Sequence, residues 1–92
     1  MYITLNEGFI VRKIDEEILI LNVEQNGIYS LNGVASAIWE ALNRSKRIDI
    51  ETLLKEIEAE YEVDSNMLRT DVLDFIDKMK TFGLFSVTNL SP

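Results

Sequence analysis

The hydrophobic period of this 92-residue chain changes once, near residue 32, and that change restricts the fold more than any other feature. Before it, residues 9–14 and 18–23 form short runs rich in Ile, Val and Leu. Runs of this length, bounded by polar turn residues, read as strands. Asp15-Glu16-Glu17 joins the two as a hairpin connection. Glu24-Gln25-Asn26-Gly27 ends the second run with a strong turn signal, since Asn and Gly both tolerate positive φ. A third run, Ile28-Tyr29-Ser30-Leu31, follows. Together the three predict an antiparallel meander whose third strand lies at an edge.

After residue 32 the spacing is helical. Asn32 is placed to cap a first helix running to about Arg44, with Val34, Ile38, Ala41 and Leu42 on one face and Ala35 and Trp39 beside it. Asp49 is placed to cap a second, with Ile48 and Leu53 at the staple positions that fix a helix entry. Asp64 is placed to cap a third, with Val63 and Leu68 as its staple pair, and Gly83 marks its end. A last run, Leu84-Phe85-Ser86-Val87, is expected to return to the sheet, and the tail from residue 88 to 92 to be loose. The expected fold is therefore α+β, a three-stranded antiparallel sheet followed by three helices. It forms one domain over residues 1–92, because a chain this short cannot supply two separate cores.

Composition narrows the chemistry. The chain has no Cys, which excludes a disulfide framework, a thiolate metal site and thiol catalysis. It has no His, the commonest general base and metal ligand. Its carboxylates, Glu51, Glu56, Glu58, Glu60, Asp74 and Asp77 among them, fall where helix faces meet solvent. A non-catalytic protein without cofactor or metal is the expectation. Nine basic against sixteen acidic residues give a net charge of −7, which argues against nucleic acid and against an anionic membrane surface as partners. No apolar stretch approaches the ~20 residues of a membrane span, and the first seven residues lack the features of a signal peptide. A cytoplasmic location follows as an expectation. Asp64-Ser65 at a helix start faintly resembles the phosphopantetheine attachment site of acyl carrier proteins. Asn66 stands where that site has a large apolar residue, and carriers have no strands.

Two features point to binding. The third strand carries neither charge nor Pro, the usual means of blunting an edge. It must be covered, pair with a second copy as a homodimer, or accept a partner strand. In the third helix, Leu68, Val72, Phe75, Met79 and Phe82 form a narrow core stripe, flanked on one side by Asp71 and Lys78. On the other side lie Arg69, Leu73, Ile76 and Lys80, apolar in the middle and basic at both ends. This second stripe either receives a peptide carrying apolar and acidic side chains or completes a wide core face.

Residues 28–42, Ile28-Tyr29-Ser30-Leu31-Asn32-Gly33-Val34-Ala35-Ser36-Ala37-Ile38-Trp39-Glu40-Ala41-Leu42, resemble the Y-x-L-N-x-x-A-x-x-I-W-x-x-L signature of the PqqD-like family. The resemblance continues through residues 60–64, 71–76 and 82–85 and covers about residues 8–87. It implies a winged-helix-like fold acting as a peptide chaperone. Such a protein binds the leader segment of a ribosomally made precursor peptide and presents it to a modifying enzyme. In pyrroloquinoline quinone biosynthesis that enzyme is a radical S-adenosylmethionine protein; related domains serve lasso and other modified peptides. The resemblance further implies that the leader adds as a strand to the third strand, here Ile28, Tyr29, Ser30 and Leu31, beside the third helix. Within that helix Arg69, Leu73, Ile76 and Lys80 are the expected contacts from the wheel geometry. Leu31, Asn32, Ile38 and Trp39 match the signature and are read as fold-makers. A winged-helix fold also admits a DNA-binding or dimerisation module, although no helix carries the basic stripe a DNA groove requires.

Overall fold

Each hairpin turn is closed by one non-glycine residue in the left-handed region, Asp15 at φ 56° and Asn26 at φ 53°. Short polar side chains tolerate that conformation best, which is why the sequence turns at these positions. In this computed structural model, which describes residues 1–62 and 64–89, the elements run in the order β1 (Tyr2–Leu5), β2 (Phe9–Ile14), β3 (Glu17–Asn22), β4 (Gly27–Leu31), α1 (Val34–Ser45), β5 (Arg47–Asp49), α2 (Ile50–Glu60), α3 (Ser65–Phe82) and β6 (Phe85–Thr88). The fold is α+β, with three helices packed against two small antiparallel sheets. The predicted meander is one of them, in the order β2-β3-β4. Its register pairs Ile20 with Tyr29 and Ile18 with Leu31.

Gly27 corrects the turn argument. Its φ is not positive, and it opens β4 rather than completing the turn. A Cβ there would stand 2.8 Å from Cε1 of Phe82, so glycine gives α3 room to approach the sheet.

The second sheet, β5-β1-β6, has no counterpart in the expected fold. Strands of three and four residues are too short to show a hydrophobic period. Ile3, at the centre of β1, is fully buried and pairs with Ile48 on one side and Val87 on the other. The run after Gly83 does become a strand, but it pairs with β1 rather than with the hairpin sheet. Thr88 belongs to that strand, while residues 90–92 of the expected loose tail lie outside the described residues.

Two of the three predicted caps form. An Asp49 carboxylate oxygen accepts from the Glu51 N–H at 3.0 Å, and both Ile48 and Leu53 are buried beside it. One Asp64 oxygen accepts from the N–H groups of Asn66 and Met67 at 2.9 and 3.2 Å. That bonding is what a helix N-terminus requires, and it accounts for Asp64 without an acyl-carrier role. Val63, its proposed staple residue, lies outside the described residues. Gly83 ends α3 in the left-handed conformation, φ 92°, as expected. Asn32 does not cap α1. Gly33 holds the N-cap position at φ 56°, with no side-chain cap bond. A positive φ just before the helix favours glycine, and Asn32 is left exposed.

The core lies between the hairpin sheet and the helices. Ile18, Ile20 and Leu31 project into it from the strands, Ile38, Trp39 and Leu42 from α1, and Leu53 and Ile57 from α2. α3 contributes Leu68, Val72, Ile76 and Met79. Phe75 and Phe82, expected in that stripe, are only half-buried, so the core face of α3 is rotated toward Ile76. Replacing Ile3 with Ala should cost about 2–5 kcal/mol, the usual range for emptying a fully buried aliphatic site. Urea denaturation would measure it; a loss below about 1 kcal/mol would mean that β1 is not integral to the core.

Candidate peptide-binding groove

β4 has a neighbour on one side only. β3 pairs with it along its whole length, and among the described residues its other edge is unpaired. The strand alternation sorts its side chains. Tyr29 and Leu31 turn inward, half-buried and buried respectively, while Ile28 and Ser30 turn to the outer face. Ile28 is 69% exposed there.

α3 runs back along β4, and the two are pinned together at one end. The Phe82 ring meets Tyr29 edge-on at 5.4 Å and tilts against Phe9 at 5.9 Å. The Asn22 side-chain amide donates to the Phe82 carbonyl at 2.9 Å, and the Asn6 amide donates to the Gly83 carbonyl at 2.8 Å. These two donors satisfy carbonyls that the end of a helix leaves without intrahelical partners. Away from this end the strand and helix separate. The gap is a groove of about 310 Å³, walled by Tyr29, Leu31 and Ala35 on one side and by Asp71, Asp74, Phe75 and Lys78 on the other. Its open top is the β4 edge. A larger cleft, about 690 Å³, lies between α1 and α2 around Glu16, Glu40, Arg44 and Glu60. It exposes no strand edge, so it offers no backbone groups for an added strand.

The structure brings together only half of the expected site. Ile28, Tyr29, Ser30 and Leu31 form the open edge, as expected. Arg69, Leu73, Ile76 and Lys80 do not face it. The stripe that does, Asp71, Asp74, Phe75 and Lys78, lies on the order of 180° away around α3 at 100° per residue. Arg69 reaches α2 instead, making a bidentate pair with Glu51 at 2.8 and 3.3 Å. That hydrogen-bonded guanidinium holds the Glu51 carboxyl below its ordinary range. Ile76 is 3% exposed and belongs to the core, Leu73 packs against it half-buried, and Lys80 is exposed in the last turn. The wide-core alternative is therefore the correct one for Leu73 and Ile76. A helical wheel shows two flanks beside a core stripe, and only the tertiary packing decides which flank meets the sheet. Asp71 and Lys78 were visible on the other flank. Ala35 carried no signal of its own, since a small residue on a helix reads as a packing residue. Trp39 is buried in the core, in keeping with its reading as a fold-maker.

The family model described as coenzyme PQQ synthesis protein D (PqqD) matches residues 17–84, from the start of β3 to the residue before β6. No curated protein matches the sequence significantly. Among solved structures, TbiB1 in complex with the TbiA(beta) leader peptide is similar, with a TM-score of 0.82 and 24% identity over 95% of this chain and 99% of that one. Lasso peptide synthetase B1 complexed with the leader peptide is similar at a TM-score of 0.76 and 19% identity, over 92% of this chain and 98% of that one.

Placing Ile76 in the core and Arg69 on the α2 side has a direct consequence. Ile76→Ala should cost about 2–5 kcal/mol in urea denaturation, whereas Arg69→Ala should leave the unfolding midpoint nearly unchanged. Equal, small effects from both would contradict this orientation of α3.

Proposed function

Because the chain belongs to the PqqD family, we propose that it is a non-catalytic peptide chaperone, which binds the leader segment of a ribosomally made precursor as a strand added to β4 and presents the precursor to a modifying enzyme. The observation that carries this reading is the uncovered edge of β4 facing α3 across an open groove. An added strand would satisfy the free N–H and C=O groups of that edge, and every second side chain would enter the groove. Backbone bonds supply affinity in this mode, and the pockets supply selectivity. The reading is supported by two structurally similar proteins that were solved with leader peptides bound.

The proposed enzyme partner is a maturation enzyme of modified peptides, a radical S-adenosylmethionine enzyme of quinone-cofactor synthesis being one member of that class. Precursors of this kind are made on ribosomes, so the proposed location is the cytoplasm. No helix among the described residues is long and apolar enough to cross a membrane.

A second reading, self-association, has its own observation. The outer face of the hairpin sheet exposes Ile10, Ile14 and Ile28, at 42%, 55% and 69%. Arg12 and Glu17 lie on the same face, so charged groups of both signs accompany these apolar side chains. Sedimentation velocity across a concentration series checks this. A concentration-dependent dimer would favour self-association through this face, and a constant monomer mass would contradict it.

The main test is a titration with a synthetic peptide spanning the N-terminal half of a short precursor encoded beside the gene. Ala35→Arg, which fills the groove from a partly exposed position, should weaken binding at least tenfold while the unfolding midpoint stays put. Unchanged affinity in that variant would mean that the groove does not hold the peptide.

A further inference from the structure

The two ends of the groove differ in chemistry. At the pinned end the surfaces are aromatic, with Phe82 against Tyr29. Because α3 runs back along the strand, Asp71, eleven residues before Phe82, lies about 16 Å along the axis toward the Asn32 end. Asp71 and Asp74 both line the groove there, with Phe75 between them and the aromatic end. Neither carboxylate forms a salt bridge among the described residues. Lys78, also in the groove wall, is one turn beyond Asp74 and is likewise unpaired among them. Two carboxylates against one ammonium leave the helical wall anionic. The opposite wall, Tyr29 to Asn32 with Ala35, carries no charge that could offset it.

We infer that the groove selects leader segments carrying a Lys or Arg at the Asn32 end, next to an apolar side chain seated over Phe75. This inference rests on the leader-binding reading and adds the chemistry of the leader to it. Inward side chains of an added strand repeat about every 7 Å. One of them over Phe75 therefore puts its neighbour within reach of Asp71 and Asp74. A long cationic side chain fits this arrangement, because its methylenes lie on the apolar wall while its charge reaches the carboxylates. The inferred preference is opposite in sign to the acidic peptide expected from the Arg69–Lys80 stripe, since that stripe is on the far side of α3. The net charge of −7 acts in the same direction at long range, drawing cationic segments toward the molecule.

The test is selection from a random ten-residue peptide library displayed on phage, using the full chain as bait. Peptides lost when the bait is Ala35→Trp, which fills the groove without changing its charge, are scored as groove-dependent. In these, Lys and Arg should exceed Asp and Glu at least threefold with the wild-type bait. The excess should invert with Asp71→Lys/Asp74→Lys. It should persist with Glu58→Lys/Asp77→Lys, which changes net charge equally at positions outside the groove. If the double Lys bait does not fold, Asp71→Asn/Asp74→Asn reads the same effect as loss of the excess. Groove-dependent peptides with no charge bias, or with the same bias on every bait, would overturn the inference and leave leader binding intact. A selection yielding no groove-dependent peptide would overturn both.

Discussion

A buried amide ties the hairpin sheet to the C-terminal end of α3, beside the groove. Asn22 is 7% exposed, and its side chain both donates to the last carbonyl of α3 and accepts from the Gln25 N–H in the β3–β4 turn. It therefore ties the hairpin turn and the helix end to each other at one point. Removing one partner would leave a buried polar group unmatched, at a cost of about 1–3 kcal/mol. The packing around it depends on the same register. Phe82 sits between Phe9 and Tyr29, where Gly27 presents no Cβ to crowd its ring. With the helix pinned at this end, its earlier turns stand off the strand, and the edge of β4 stays open.

An open edge is usually a hazard, since it templates pairing with any other exposed strand. Among the described residues β4 is not blunted by charge, proline or a covering element along its edge. The charge of the whole molecule offers a different protection. Two copies at −7 repel each other as they approach, whereas a peptide that is not itself acidic meets no such barrier. The same electrostatics thus disfavour pairing between copies and permit pairing with a ligand. A strongly acidic composition, which at first only excluded nucleic acid, becomes part of how the edge can remain available.

The hairpin, the edge position of β4, the caps at Asp49 and Asp64 and the stop at Gly83 were all legible, because each depends on residues adjacent in sequence. The motif across residues 28–42 carried the family, whose model matches most of the chain. What was not legible depends on distant partners. β1 and β5 are too short to show a period and exist because Ile3 and Ile48 meet across the second sheet. Asn32 looked like a cap, but the positive φ at position 33 moved that role to glycine. The flank of α3 that faces β4 is not legible, because two symmetric flanks cannot be told apart without knowing where α2 lies. The Arg69–Glu51 pair, joining residues 18 positions apart, is what distinguishes them.

If a leader segment becomes the fourth strand of the hairpin sheet, amide hydrogen exchange of the complex will show it. β4 already directs every second amide toward β3, so a bound strand can protect only the alternate set. Exchange should slow at alternate residues from 27 to 31, with matching alternate protection along the peptide. A peptide that binds while the outward amides of β4 exchange as fast as in the free protein would contradict it.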